Sequence, residues 1–370
     1  MAAAPDLSLC LIVRDEAARL PACLDSVRAL GAELVVVDTG SIDDTPRIAR
    51  AAGARVHAIP WPGDFAAARN ASLALATGRW VLVLDADETL APASVEAIRR
   101  IVAGPADHAC SLVQRNLLPD GAGHVAVRIV RLFPNRPDLR FERPIHEQVN
   151  TSLERAGIRI VDTEIVLGHS GYADARMMPA KLARNRAIIA AALAADPDGD
   201  PNLRYFYAGT FADDGDHLRA AAEYAACAVA SRGRRGRLAV AAVIKGAECL
   251  ARLGRGDQAE ALLAAEPGAA EHPLACDVRA AAARARGADG EVLEWSERLL
   301  AASDTALMPP VALQPLKVRA LQWLAEHWFA RGRKAVALRL LRLGIEVANG
   351  GHPPGGEIAA AYASALSAAD

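Results

Sequence analysis

Two aspartates one residue apart, Asp85 and Asp87, followed at once by Glu88, stand directly after the apolar run Trp80-Val81-Leu82-Val83-Leu84. Apolar residues in such a run fit a strand buried on both faces, and the strand delivers the acids to its own carboxyl end. In an open α/β sheet that end is where ligands bind, and paired carboxylates there hold a hard divalent cation together with the phosphates of a ligand. The plain alternative is that acids after a strand cap the next helix or sit in a solvated turn. Two further positions weigh against it. Asp15 and Glu16 follow the apolar run Leu7 to Val13, and Asp38 follows Leu34 to Val37. Acids at three strand ends on one sheet edge make a cleft, and the chemistry expected of it is metal-assisted work on a nucleotide.

The elements that must position these acids alternate. Leu7 to Val13 reads as a strand, and the helix after it carries Leu20, Leu24, Val27 and Leu30 on one face. Leu34 to Val37 is a second strand, and Thr45 is placed to cap a helix whose first position is Pro46. Arg55 to Ile59 is a third strand. After Pro60-Trp61-Pro62-Gly63, Asp64 opens a helix carrying Phe65, Arg69 and Asn70 to about Ala76, and Gly78 ends it before Trp80. A helix over Ser94 to Val102 completes a pattern that specifies a mostly parallel sheet wrapped by helices. Strand-like pieces follow at Cys110 to Gln114, Val125 to Phe133 and Ile158 to Val166, with Arg140 to Glu147 between the last two. Beyond His169-Ser170-Gly171-Tyr172 the chain is alanine-rich and helical. Breaks near Gly215, Gly254, Gly287 and Gly332 each separate two helical stretches, at a spacing that scatters about the roughly 34 residues of a helical-hairpin repeat. Two domains are expected, residues 1–172 and residues 173–370.

Four segments in order, Leu9-Cys10-Leu11-Ile12-Val13-Arg14-Asp15-Glu16, Val35-Val36-Val37-Asp38-Thr39-Gly40-Ser41-Ile42-Asp43-Asp44-Thr45, Asp64-Phe65-Ala66-Ala67-Ala68-Arg69-Asn70 and Leu84-Asp85-Ala86-Asp87-Glu88, resemble the successive signatures of family-2 glycosyltransferases. The later Ile145-His146-Glu147, His169-Ser170-Gly171-Tyr172, Lys181 and Arg184-Asn185 resemble the subgroup with a helical-repeat tail, some members of which glycosylate peptides, including at cysteine. The resemblance implies a GT-A type, Rossmann-like α/β domain followed by an all-α, tetratricopeptide-like domain. It implies a nucleotide-sugar donor, most commonly UDP-linked, with Mg²⁺ or Mn²⁺. Asp38 would contact the base or ribose, with Val13 and Asp15 forming the other wall and Arg69 lying near the nucleotide or its diphosphate. Asp87 would coordinate the metal, Asp85 would hold the ribose or the metal's water shell, and His146 would complete the metal site. An inverting displacement needs a carboxylate to take the acceptor's proton. Glu147 is the first choice for that base and Glu142 the second, against the alternative that Glu147 pairs with an arginine such as Arg143. The family often has a small residue where this chain has Arg143. His169 is read as joining the domains.

Composition narrows the rest. A formal net charge of -2 and a pI near 6.5 oppose a broad electrostatic hold on nucleic acid. Six cysteines lie far apart, with no pair at metal-binding spacing, and read as free thiols of a cytoplasmic protein. No apolar stretch approaches the roughly 20 residues of a membrane span. Gly254-Arg255-Gly256-Asp257-Gln258-Ala259 fits a dinucleotide-binding pattern but follows a helix, so it reads as a hairpin turn. The basic run Arg232 to Arg237 reads as a solvated loop. The partners expected are a sugar nucleotide, a peptide or protein acceptor presented by the repeats through Ser/Thr oxygen or Cys sulfur, and a second copy through the helical domain. A glycan or small-molecule acceptor is the alternative. A nucleotidyltransferase is disfavoured because Arg14-Asp15-Glu16 lacks the glycines of a triphosphate loop. An inactive peptide-binding scaffold is the rival of another class, and the retained acids argue against it.

Overall fold

The computed structural model describes residues 5–117, 124–170, 178–233, 236–270, 272–302 and 313–348. The chain separates into two compact units, Met1–Ile188 and Ile189–Asp370. The expected boundary after Tyr172 falls outside the described residues.

In the first unit, β1 (Leu7–Val13), β2 (Glu33–Asp38), β3 (Arg55–Ala58) and β4 (Trp80–Val83) alternate with α1 (Leu20–Val27), α2 (Thr45–Ala51) and α3 (Phe65–Leu75). Then come β5 (Glu88–Leu90), α4 (Val95–Ala103), β6 (His108–Leu117), β7 (His124–Pro134), α5 (Asn150–Arg155), β8 (Arg159–His169) and α6 (Met178–Ala195). The sheet order is β3-β2-β1-β4-β7-β6-β8-β5. Strand β1 runs parallel to both β2 and β4, and β2 runs parallel to β3, so these carboxyl ends share one edge of the sheet. Val13 stands level with Asp38 there. Strand β7 enters antiparallel between β4 and β6. The three-residue β5, absent from the sequence reading, pairs with β8 and takes Glu88 out of the acidic turn into the sheet.

Apolar side chains of β1 and β4 divide between the two faces, as the period-2 alternation of a doubly covered strand requires. Leu9, Leu11, Trp80 and Leu82 pack with Leu20, Leu24 and Val27 of α1, while Cys10, Val81 and Val83 pack with Phe133 and Leu139. Asp64 caps α3, accepting from Ala67 N at 2.8 Å. Thr45 does not cap α2 as expected; its hydroxyl accepts from Glu16 N at 2.7 Å and so ties the loop after β1 to the loop after β2.

Ser231, Gly254 and their neighbours belong to the second unit, which is built of helical hairpins. These are α7 (Pro201–Asp213) with α8 (His217–Ser231), α9 (Gly236–Arg252) with α10 (Gly256–Ala264), α11 (Pro273–Arg286) with α12 (Asp289–Ala301), and α13 (Leu313–Ala330) with α14 (Lys334–Ala348). Each break is a glycine with φ between 70° and 83°, at Gly215, Gly254, Gly287 and Gly332, a conformation that only glycine adopts without strain. Alanines make up much of the core, among them Ala208, Ala220, Ala242 and Ala283, which lets the helices approach closely. The dinucleotide-like stretch turns α9 into α10, as expected, and the basic run at 232–237 lies partly outside the described residues. Helices α9, α11 and α13 together line a cavity of about 470 Å³ that includes Arg252, Asp277, Arg284, Arg319, Trp323 and Glu326. The described cysteines are all buried free thiols, and no described helix is long and apolar enough to cross a membrane.

Gly78 sets the start of β4. A Cβ there would stand 2.7 Å from both Leu7 C and Ser8 N, and its own N–H donates to Ser8 Oγ at 2.8 Å. Backbone cannot yield as a side chain can, so Gly78→Ala is expected to destabilise the protein by about 1–3 kcal/mol. A urea midpoint equal to that of wild type would contradict this close approach.

Candidate active site

A cleft of about 390 Å³ lies within the first unit at the carboxyl edge of the sheet. Val13, Arg14 and Glu16 enter it from the end of β1 and the loop after it, Thr39 from just after β2, Trp61 from the loop before α3, Phe65 and Arg69 from α3, and Asp85 and Asp87 from the turn after β4. His146 and Glu147 come from the loop before α5, His169 from the end of β8, and Lys181, Arg184 and Asn185 from α6.

The wall of the cleft is a buried ionic cluster around Asp85. Arg69 donates from Nη2 to Asp85 Oδ1 at 2.6 Å and from Nε to Glu147 Oε1 at 2.6 Å. Arg131, on β7, donates from Nη2 to Asp85 Oδ2 at 2.8 Å and to Glu88 Oε1 at 3.0 Å. Glu88, fully buried, also accepts from the backbone N–H of Asp85 at 2.8 Å and from the amide of Gln114. Burial alone would push the Asp85 carboxyl up, yet Arg69 and Arg131 hold it well below the ordinary carboxylate range. Burial raises the Glu88 carboxyl, with Arg131 opposing and Asp85 adding to the rise. Two guanidinium groups thus face three carboxyl groups, those of Asp85, Glu88 and Glu147, and Asp87 stands beside them. Nη1 of Arg69 and Nε of Arg131 are buried without an acceptor.

Asp87 faces a histidine. His169 Nε2 lies 3.5 Å from Asp87 Oδ2, while its Nδ1 is 2.6 Å from Asn116 Oδ1. The amide oxygen fixes the proton on Nδ1 and turns Nε2 toward the carboxylate. Partial burial lowers the pKa of His169, but Asp87 outweighs it, and the net shift is upward from 6.5.

Some candidates sit elsewhere. Asp38 is 5% exposed and its carboxylate accepts from Ser41 N and Oγ, so it shapes the turn after β2 and is not a lining side chain. Asp15, at φ 55°, accepts from Ile42 N at 2.8 Å and also lies outside the lining. Glu142 pairs with Arg155 at 3.0 Å, away from the cleft. Glu147 pairs with Arg69, not with Arg143. His146 lines the cleft, but among the described residues no three His, Cys, Asp or Glu side chains converge as a metal-ligand group, so Asp85, Asp87 and His146 are not one cage. Both oxygens of Asp85 are already taken by arginine. Asp87 remains, and magnesium-type sites use one or two carboxylates plus phosphates of the ligand, so the donor set fits that mode and not a protein cage.

Arg143 and His146 both have positive φ, 79° and 50°. The position where a small residue is common is therefore one where glycine would be relaxed and arginine is not. Phe65 N donates to Pro144 O at 2.8 Å and pins this strained loop against α3. Sequence reasoning missed Arg131 altogether. Its one signal was a charge inside the otherwise apolar Ile129 to Phe133.

A family model described as glycosyl transferase family 2 matches residues 8–166. A TPR repeat-containing protein of Synechococcus elongatus is 42% identical over 228 residues, 60% of this chain and 55% of that protein. The SPbeta prophage-derived glycosyltransferase SunS of Bacillus subtilis is 25% identical over 207 residues, 55% of this chain and 48% of that protein. The chain thus spans about half the length of the curated relatives it matches. Among solved structures, glucosyl-3-phosphoglycerate synthase from Mycobacterium tuberculosis, in complex with Mn²⁺, UDP and phosphoglyceric acid, aligns at 22% identity with a TM-score of 0.38, covering 52% of this chain and 78% of that one.

Two outcomes follow from the cluster. Arg131→Met strands Glu88 and half of Asp85, and removing one partner of a buried ion pair is expected to cost about 3–5 kcal/mol; a loss below 1 kcal/mol in urea unfolding would show that these acids are not buried together. The raised His169 pKa contributes stability that is complete below the unfolded value and is lost as pH rises through the folded one. In NMR titration the His169 midpoint should lie above 6.5 and should fall in Asp87→Asn; an unmoved midpoint would separate the two residues.

Proposed function

With residues 8–166 forming a glycosyl transferase family 2 domain followed by helical hairpins, we propose that the protein is an inverting, metal-dependent glycosyltransferase. It moves a sugar from a nucleotide donor, UDP-linked by family resemblance, to a peptide or protein side chain. The observation that carries this reading is the ordered acidic edge, in which Asp87 projects into the cleft beside Asp85 and Glu147. Such a place attracts a divalent cation and the diphosphate that travels with it. Asp87 would be its ligand, with His169 Nε2, 3.5 Å from Asp87 Oδ2, beside it in place of His146. Mg²⁺ or Mn²⁺ held there would neutralise the charge that develops on the leaving diphosphate.

The chain's own residues supply the rest. Asp38 and Val13 hold the nucleoside end of the cleft, with Asp38 acting through the turn it fixes. Asp85 is an anchor for Arg69 and Arg131, not a metal ligand. Glu147, a lining residue, takes the acceptor proton, with Arg69 orienting its carboxylate. Glu142, paired with Arg155, takes no part. The helical unit presents the acceptor. Its cavity carries acids, arginines and Trp323, a surface suited to a polypeptide more than to a uniform glycan.

Product analysis distinguishes this reading from nucleotidyl transfer. Release of free nucleoside diphosphate is expected, and pyrophosphate would overturn the assignment. Asp87→Ala should abolish metal-dependent turnover, and full activity in that variant would do the same. For the base, Glu147→Gln should lower kcat by about 100-fold or more, while Glu142→Gln stays near wild type; the reverse order would exchange their roles.

A further inference from the structure

Four cationic side chains line the cleft, and they are not equivalent. Arg69 is held by Asp85 and Glu147. Lys181 lies in the field of Glu16. Arg184, by contrast, has no carboxylate partner among the described residues. It donates from Nε and Nη2 to Oδ1 of the adjacent Asn185, at 3.1 and 2.8 Å, and its guanidinium rests 5.0 Å from the centre of the Phe65 ring. Phe65 is in turn braced by Trp61, edge to face at 4.7 Å. Among the described residues Arg14 meets one carboxylate, that of the adjacent Asp15, at 4.0 Å. Both arginines are accessible to solvent. They are also near enough to oppose each other: partial loss of solvent, and then Arg14, lowers the pKa of Arg184, with Glu147 acting the other way.

Two guanidinium groups lining one cleft, Arg184 with no carboxylate partner among the described residues and Arg14 with only the distant, exposed Asp15, form a receptor for an anion. Arginine presents paired N–H groups that match phosphate oxygens, and the aromatic brace under Arg184 holds its plane without neutralising it. Their place in the fold selects the source of the anion. Arg14 follows β1, which is flanked by β2 on one side and β4 on the other, and the crevice outside such a central strand is where nucleotides lie in open α/β sheets.

We infer that Arg14 and Arg184 seat the diphosphate of the sugar-nucleotide donor, Arg14 reaching it from the end of β1 and Arg184 from α6. This rests on the glycosyl-transfer reading above. As the acceptor oxygen or sulfur bonds to the anomeric carbon, the bond from that carbon to the diphosphate oxygen breaks. Its electron pair stays on the diphosphate, and the acceptor proton goes to Glu147. Arg184 binds the group on which that charge accumulates, so its contribution grows as the bond opens.

The test uses the full chain with Mn²⁺ and a panel of UDP, GDP, CDP, ADP and dTDP, measured by titration calorimetry, with the matching nucleoside followed by ligand-observed NMR. Arg184→Gln keeps a polar side chain and removes the charge. It should weaken the preferred nucleoside diphosphate tenfold or more, leave the nucleoside unchanged and recover in part in Arg184→Lys. Arg14→Gln, on a different element, should give the same pattern, and unchanged thermal melting of both variants would show that the fold is intact. Wild-type affinity for the diphosphate in Arg184→Gln would overturn the inference and place the anion on the acceptor. A parallel loss of nucleoside binding would also overturn it, as a general disturbance of the cleft. If wild type binds none of the five nucleotides, the glycosyl-transfer reading itself fails and the inference falls with it.

Discussion

Everything at the carboxyl edge of this sheet is arranged around the two oxygens of Asp85. One is gripped by Arg69 from α3 and the other by Arg131 from β7, and through these arginines the carboxylate reaches Glu147 and Glu88. Five charged side chains from a parallel strand end, a helix, an antiparallel strand, a short edge strand and a loop are thereby held in one geometry. Taking such groups out of water is expensive, and apolar replacements of similar volume would often be as stable or more so. What the cluster provides is position. Asp87, Glu147 and the first turns of α3 are fixed relative to one another because none can shift without unpairing a buried charge.

This arrangement explains which parts of the site were legible in the sequence. Positions fixed by strand ends were readable, since an apolar run followed by an acid reports where the chain leaves the sheet: Asp38, Asp85 and Asp87 lie where the pattern puts them. The Gly-centred breaks were equally clear, because glycine at positive φ is a local requirement that needs no partner. What a side chain does at such a position was not readable. Asp38 is expected to face a ligand but holds a turn, and Asp85, which does line the cleft, also holds two arginines. Thr45 was expected to cap its own helix and instead serves Glu16. Each difference has one cause, a partner distant in sequence whose approach depends on register. Arg131 meets Asp85 only because β7 inserts antiparallel beside β4, and a three-residue β5 lies below the length at which alternation can be recognised. The place of His169 next to Asp87 was not readable, since nothing local reveals that β8 ends there.

Within the second unit the same distinction holds in a simpler form. Hairpins repeat, so each helix meets its sequence neighbour, and local pattern suffices to find them. Arg284 on α11 rests over Trp323 on α13, and Arg319 reaches Asp277 at 2.7 Å. These contacts join one hairpin to the next and give the alanine-rich core its few large, directional anchors.

Helix α6 carries a consequence for how such a chain is put together. It runs from Met178 to Ala195, past the point where the first compact unit gives way to the second. Lys181, Arg184 and Asn185 sit in its opening turns and belong to the wall of the cleft. A hybrid spliced just after the last strand, where the α/β pattern visibly stops, would inherit the whole sheet and discard that wall. Recombination between relatives can exchange helical tails freely only if the crossover falls beyond Asn185, so modularity here is bounded by a helix that serves its upstream neighbour first.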